Sequence, residues 1–228
     1  MKKKILLIGN TDGLPGVKID VQNYKAYFKS NIGGNWHNDE IIEKIDAKKT
    51  DIISTLENLK NNKLDYLIII FSGHGGMQRS TLLAINPEEE VISELELNNI
   101  CDKQVTILDC CRVYPQNISE SIQNNTLTKS FSVSGTRAKF EHRILQASPQ
   151  QIKIYSCAPG ESSYDTPEGG AYTKHLLETA YSDTSEFIYF GRTHEIAAKK
   201  TTSSFASQNP EIIQPRLLSA SQLIFGIN

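Results

Sequence analysis

The strongest constraint in this 228-residue chain is a pair of apolar runs, Tyr66-Leu67-Ile68-Ile69-Ile70-Phe71 and Val105-Thr106-Ile107-Leu108, each followed closely by a reactive side chain. Runs with so little polar alternation read as strands buried on both faces, the kind found in parallel sheets covered by helices. The first leads through Ser72-Gly73 to His74, and the second through Asp109-Cys110 to Cys111. An open α/β sheet keeps its site at the C-terminal ends of its strands. The two side chains are therefore expected at one sheet edge, as a candidate thiolate nucleophile and its base.

The rest of the chain alternates in the same way. Strands are predicted over residues 3–9, within 39–46, and over 65–72, 104–111, 152–158 and 211–214, with half a hairpin at 81–87. Helices are predicted over 19–30, 51–60 with Thr50 as N-cap, 93–100 capped by Ser93, 137–147, 170–181 and 186–201. Trp36 is expected to cover the sheet, and Gly73-His74-Gly75-Gly76 is too glycine-rich to continue as a ladder. The fold class that follows is α/β, a mostly parallel central sheet with helices on both faces, in a single domain over 1–228. Residues 113–150 are rich in Ser, Asn and Thr and read as a flexible linker.

Charge and cysteine usage exclude several classes. With 24 Lys+Arg against 26 Asp+Glu the formal charge is -2, so nucleic acid and membrane are not expected partners. Met1-Lys2-Lys3-Lys4 resembles the start of a signal peptide, but the apolar run Ile5-Leu6-Leu7-Ile8 stops after four residues, too few for an h-region or a membrane span. The four cysteines, Cys101, Cys110, Cys111 and Cys157, show no Cys-x-x-Cys spacing, which argues against a zinc site or a disulfide framework and for a reducing, cytoplasmic setting. The turn-rich loop Asn10-Thr11-Asp12-Gly13-Leu14-Pro15-Gly16 matches neither phosphate-binding glycine pattern, and nucleotide binding is a minor reading. No metal or other cofactor is predicted.

Strand alternation makes the adjacent cysteines inequivalent. Asp109 and Cys111 should share one face and Cys110 the other, where it packs as a small hydrophobe. A free thiol ionises near about 8.5, so Cys111 needs the His74 imidazole beside it to attack at neutral pH. Gly75 leaves room for a substrate, and its N–H, with that of Cys111, is a candidate oxyanion hole.

Ser72-Gly73-His74-Gly75-Gly76 and Asp109-Cys110-Cys111-Arg112 resemble the histidine and nucleophile signatures of the caspase/metacaspase superfamily of cysteine peptidases. Tyr155-Ser156-Cys157-Ala158-Pro159-Gly160-Glu161-Ser162-Ser163-Tyr164, with Gly169-Gly170-Ala171-Tyr172-Thr173, resembles the strand, loop and helix that follow the nucleophile in bacterial caspase-like proteins. The resemblance implies a three-layer caspase-like sandwich and a Cys111–His74 dyad. After the nucleophile the chain departs: metacaspases usually continue His-Ser-Gly and caspases Arg-Gly, whereas here Arg112-Val113-Tyr114 follows.

Asp109, sharing a face with Cys111, points to a basic P1 side chain. Resemblance to metacaspases, which cleave after Arg or Lys, adds Asp20, and Glu161 and Asp165 are further candidates to line the pocket. Lys129, Arg137, Lys139 and Arg143 fall in the polar stretch where related enzymes are cut, and self-cleavage is expected there if it occurs. The resemblance further implies a protein or peptide substrate, a role in bacterial defence or cell death, and an activator or partner protein encoded nearby. A catalytically inactive interaction scaffold on the same fold is the alternative.

Overall fold

The computed structural model describes residues 1–114 and 135–228. In chain order the elements are β1 (Lys3–Gly9), α1 (Gly16–Lys29), β2 (Ile41–Ile45), α2 (Lys49–Asn61), β3 (Tyr66–Ser72), β4 (Gly75–Met77), β5 (Thr81–Ala84), β6 (Val91–Ser93) and β7 (Lys103–Asp109). Beyond the undescribed segment follow α3 (Thr136–Gln146), β8 (Gln150–Tyr155), β9 (Asp165–Thr166), β10 (Gly169–Gly170), α4 (Ala171–Ser182), β11 (Phe187–Tyr189), α5 (Phe190–Ser204), β12 (Glu211–Ile213) and β13 (Ile224–Ile227).

Six strands form the central sheet in the order β12-β8-β7-β3-β1-β2. The last five run parallel, and β12 closes one edge antiparallel to β8. Alternation along the strands divides the core in two. Ile5, Leu7, Ile68, Ile70, Val105 and Ile107 face Tyr24, Phe28, Ile144, Leu176 and Ala197 of α1, α3, α4 and α5. Leu6, Ile8, Leu67, Ile69, Phe71 and Leu108 face Ile52, Leu56 and Leu59 of α2, together with Leu83 and Ile92. The architecture observed is a three-layer sandwich, a mostly parallel sheet with helices on both faces. Each fully buried aliphatic side chain contributes about 1.5–3 kcal/mol, so the two cores hold the sheet rigid under the loops at its C-terminal edge.

Trp36 covers the sheet as expected, 2% exposed, with its indole N–H donating to Gly33 O at 3.1 Å. The Lys3 ammonium lies 4.1 Å from its ring centroid and 3.3 Å from the Glu141 carboxylate, and burial pushes its pKa down to about 8.

Several elements differ from the sequence reading. The glycine-rich Gly75–Met77 does continue as a ladder: having left the main sheet, it pairs with β5 in a small antiparallel sheet, β4-β5-β6, on the α2 face. Ser93 caps as expected, accepting from Leu95 N while Glu96 accepts from Ser93 N, but the helix stops after one 3-10 turn, and Asn99 just beyond it has a left-handed φ of 53°. Helix α2 begins at Lys49 without a side-chain cap of its own, and Glu90 from the β5–β6 hairpin accepts from Lys49 N instead. The predicted helix over 186–201 starts later, because Phe187–Tyr189 forms a strand paired with β13, an element that alternation in Ile224-Phe225-Gly226-Ile227 was too short to announce.

The polar stretch is not a linker through residue 150. The helix predicted over 137–147 forms as α3, and with the start of β8 it occupies the C-terminal part of the stretch, with Arg143 4% exposed and its guanidinium donating to Ser219 O and Gln222 O. Arg137 is paired with Glu40 and Glu141. These two arginines and Lys139 lie in a folded helix, where a peptide bond is withheld from a protease. Lys129 lies outside the described residues.

Candidate active site

Strands β3 and β7 are neighbours and parallel, in a register that sets Ser72 beside Asp109. Both side chains turn to the α1/α4 side, where the Ser72 hydroxyl donates to Asp20 at 2.7 Å and Asp109 accepts from Thr173 at the start of α4. Cys110 turns the other way, into the α2-side core. Two residues beyond Ser72 and Asp109, His74 and Cys111 line one pocket of about 570 Å³, its open mouth included. Asp20, Asp109 and Asp165 line it too, with Leu14, Val17, Ser163 and Tyr164.

The imidazole is oriented by the loop after β1. His74 Nε2 lies 2.5 Å from Asp12 O. A carbonyl can only accept, so this nitrogen carries the proton and Nδ1 is the basic nitrogen of the neutral ring. The Cys111 thiol contacts Ser163 O at 3.6 Å. Burial pushes the Cys101, Cys110 and Cys157 thiols up, which keeps them protonated.

Gly75 is placed by the small sheet. Ala84 N donates to His74 O, so the next pair, Gly75 with Leu83, belongs to the type that exchanges no ladder bonds. The Gly75 N–H is therefore turned away from β5, to the side on which Met77 N donates to Val113 O at 2.8 Å. A side chain at Gly75 would come within 2.7 Å of both Cys110 Sγ and Cys111 O.

The acidic wall is tightly built. Asp20 is 1% exposed and Asp109 5%. Asp20 accepts from Ser72 Oγ and, at 2.9 Å, from Gly170 N. Asp109 accepts from Ser163 Oγ, Thr173 N and Thr173 Oγ1. Gly170 permits the approach, since a Cβ there would lie 2.3 Å from Asp109 Oδ2. Burial, and secondly the Asp109 charge, push the Asp20 carboxyl well above the usual carboxylate range. Asp165 accepts from Gly16 N at 3.1 Å, at the first residue of α1.

Glu161 is a correction: it is absent from the pocket wall. Its carboxylate is consumed by Ala158 N, Asn209 N and Asn209 Nδ2, which ties the loop after β8 to the segment leading into β12. Arg112 is 5% exposed and its guanidinium bonds Thr81 Oγ1, Cys157 O and Glu211, 4.0 Å from the Tyr155 ring centroid. It anchors the chain just after Cys111 to β5, β8 and β12.

Sequence reasoning missed the carbonyls of Asp12 and Ser163, because a backbone acceptor leaves no residue signature. It also missed Tyr164, which stacks on Phe205 at 4.7 Å on the pocket rim. Ser72 belonged to a quoted motif, but only the folded chain brings its hydroxyl to Asp20. Among the described residues no group of three or more His, Cys, Asp or Glu side chains is gathered as metal ligands, and no helix is long and apolar enough to cross a membrane.

Comparison with known proteins agrees with this fold. Caspase-1 from Spodoptera frugiperda superposes with a TM-score of 0.64 at 15% identity, covering 99% of this chain and 89% of that one. A Geobacter sulfurreducens protein superposes with a TM-score of 0.65 at 14% identity, covering 100% and 99%. At these identities the likeness speaks for the fold alone. No curated protein sequence gives a significant match. The caspase domain family model, however, matches residues 2–216. Its span takes in both strand-end residues and the acidic wall, and the chain belongs to the caspase-domain family of cysteine peptidases.

Proposed function

We infer that the protein is a cysteine endopeptidase with a Cys111–His74 dyad that cleaves after Arg or Lys. The observation that carries this reading is that the imidazole, the one pocket-lining thiol outside the cores, and three carboxylates line a single pocket. Two buried carboxylates close enough to perturb one another are costly unless a cation is brought to them. A carboxylate has about four acceptor positions, and Asp109 uses three and Asp20 two, so both keep capacity for a guanidinium or ammonium.

In this reading the P1 side chain enters the acidic wall and sets the scissile carbonyl over Cys111. His74 Nδ1 takes the thiol proton and Sγ bonds to the carbonyl carbon. The negative oxygen is stabilised by the N–H groups of Gly75 and Cys111. The imidazolium then protonates the amine, the C–N bond breaks and an acyl-enzyme remains. Water, deprotonated by the same imidazole, hydrolyses the thioester and frees the thiol. The resemblance to bacterial caspase-like proteins extends the reading to a cytoplasmic protein target in defence or cell death, with an activating partner encoded nearby.

The test is a panel of fluorogenic peptides ending in Arg, Lys or Asp, run with wild type and Cys111→Ala. Cleavage after Arg or Lys that vanishes in Cys111→Ala is expected. Cleavage after Asp, or activity surviving in the variant, refutes the assignment, and a folded protein inert towards every peptide favours the scaffold reading.

A further inference from the structure

The carbonyl that orients His74 sits in a loop held from two sides by side chains outside the pocket. Asn10, 1% exposed, accepts from Asp12 N through Oδ1 at 3.1 Å, and its Nδ2 donates to Ala84 O at 3.0 Å and Asn86 O at 3.2 Å. Ala84 is the residue whose N–H donates to His74 O. One buried carboxamide thus holds the Thr11–Asp12 peptide, next to the one whose carbonyl faces the imidazole, and strand β5, whose Ala84 pairs with His74. From the other side Asp46, just past the end of β2, accepts from Thr11 N at 2.8 Å and Thr11 Oγ1 at 2.7 Å. Asp46 also has a left-handed φ of 49°, which a non-glycine residue adopts at a cost, and its N–H donates to Gly9 O at 2.8 Å. The two clamps fix the chain on the N-terminal side of the Asp12 carbonyl, at Thr11 and at the Asp12 N–H.

We propose that Asn10 and Asp46 are positioning residues that fix the Asp12 carbonyl against His74 and so select the tautomer whose Nδ1 can accept the Cys111 proton. The proposal rests on the dyad reading above. If the Asp12 peptide rotates, Nε2 loses its acceptor, the ring can take the opposite tautomer, and an Nδ1 that carries the proton can no longer accept one from the thiol. The loss falls on proton transfer and leaves peptide binding alone.

The experiment compares Asn10→Ala, Asp46→Gly and Asp46→Asn with wild type by thermal melting, peptidase kinetics and the rate of Cys111 alkylation by iodoacetamide between pH 5 and 9. Asp46→Gly removes the clamp without backbone strain. In Asp46→Asn the amide oxygen can accept from Thr11 N while the amide nitrogen donates to Thr11 Oγ1. The expected result is a kcat lowered at least about tenfold with KM changed less than about twofold in Asn10→Ala and Asp46→Gly, the pattern of a lost proton-transfer step. The alkylation midpoint should move up towards that of an isolated thiol, and Asp46→Asn should restore both readouts. Folded variants with wild-type kcat and alkylation profile overturn the proposal, as does an Asp46→Asn protein as impaired as Asp46→Gly. Should Asn10→Ala fail to melt cooperatively, the Asp46 pair decides alone. If wild type cleaves no peptide the peptidase reading fails, while the alkylation profile still decides whether the clamp orients the imidazole.

Discussion

Replacing Asp20 by Asn should separate stability from specificity in opposite directions. The carboxamide keeps an oxygen for Gly170 N and can donate to Ser72 Oγ, so the wall keeps its shape while one buried charge beside Asp109 disappears. The folded-state pKa of Asp20 lies above its unfolded value, so the folded chain holds that proton more tightly. Its contribution to stability is present at low pH and is lost as pH rises from the unfolded pKa through the raised folded one. At pH 7 the variant should therefore melt at or above the wild-type temperature. Specificity should move the other way. A unit charge pair at about 4 Å in an effective dielectric of about 20 is worth about 4 kcal/mol, or about three decades. Because Asp109 and Asp165 share the cation, a loss of roughly 30- to 300-fold in kcat/KM is expected for an Arg peptide. The assay is the ratio of kcat/KM for a P1 Arg peptide over its neutral citrulline isostere, in which the dyad's own pH dependence cancels. That ratio should rise with pH as Asp20 ionises in wild type, and should be small and flatter in the variant. An unchanged ratio in a folded variant would refute the pocket argument, and a lowered melting temperature would refute the claim that the buried charge is a cost.

Lys3→Met should stabilise the protein by on the order of 2 kcal/mol at pH 7, since Glu40 and Glu141 keep Arg137 as partner and a desolvated ammonium is removed. In wild type, urea midpoints should climb as pH rises from about 8 towards 10.5, where the folded chain has lost the Lys3 proton and the unfolded one has not, and the variant should lack that climb. Arg112→Ala should cost about 2–4 kcal/mol in urea unfolding, from lost hydrogen bonds and the contact with Tyr155, and should lower kcat because the chain beside Cys111 loosens. Arg112→Lys should recover only part of either loss, because an ammonium cannot replace the guanidinium fork, and full recovery would show that charge alone is enough.

Much of the architecture could be read from residues 5–8, 66–71 and 105–108, because a strand buried on both faces needs an unbroken apolar run and few other structures use one. The inequivalence of Cys110 and Cys111 was legible for a similar reason, since alternation across a strand follows from backbone geometry alone. Glu161 misled because an acidic residue on a pocket-side loop looks the same in sequence whether it faces substrate or three N–H groups of its own chain. The helix predicted after Ser93 misled because a cap is a local signal, whereas element length is set by what the element packs against; over 137–147 the predicted helix formed, and only the polar composition carried the linker reading too far.

The sequence by itself determined the α/β class, the strand ends that carry His74 and Cys111, and the presence of acidic residues near them. Only the tertiary structure decided which acids face one another, which carbonyl meets the imidazole and which side chains brace the loop that carries that carbonyl. Periodicity is a property of neighbours along the chain. The Asp20–Gly170 bond joins residues 150 positions apart and His74 reaches Asp12 across 62, contacts that exist only once both cores have closed around the sheet.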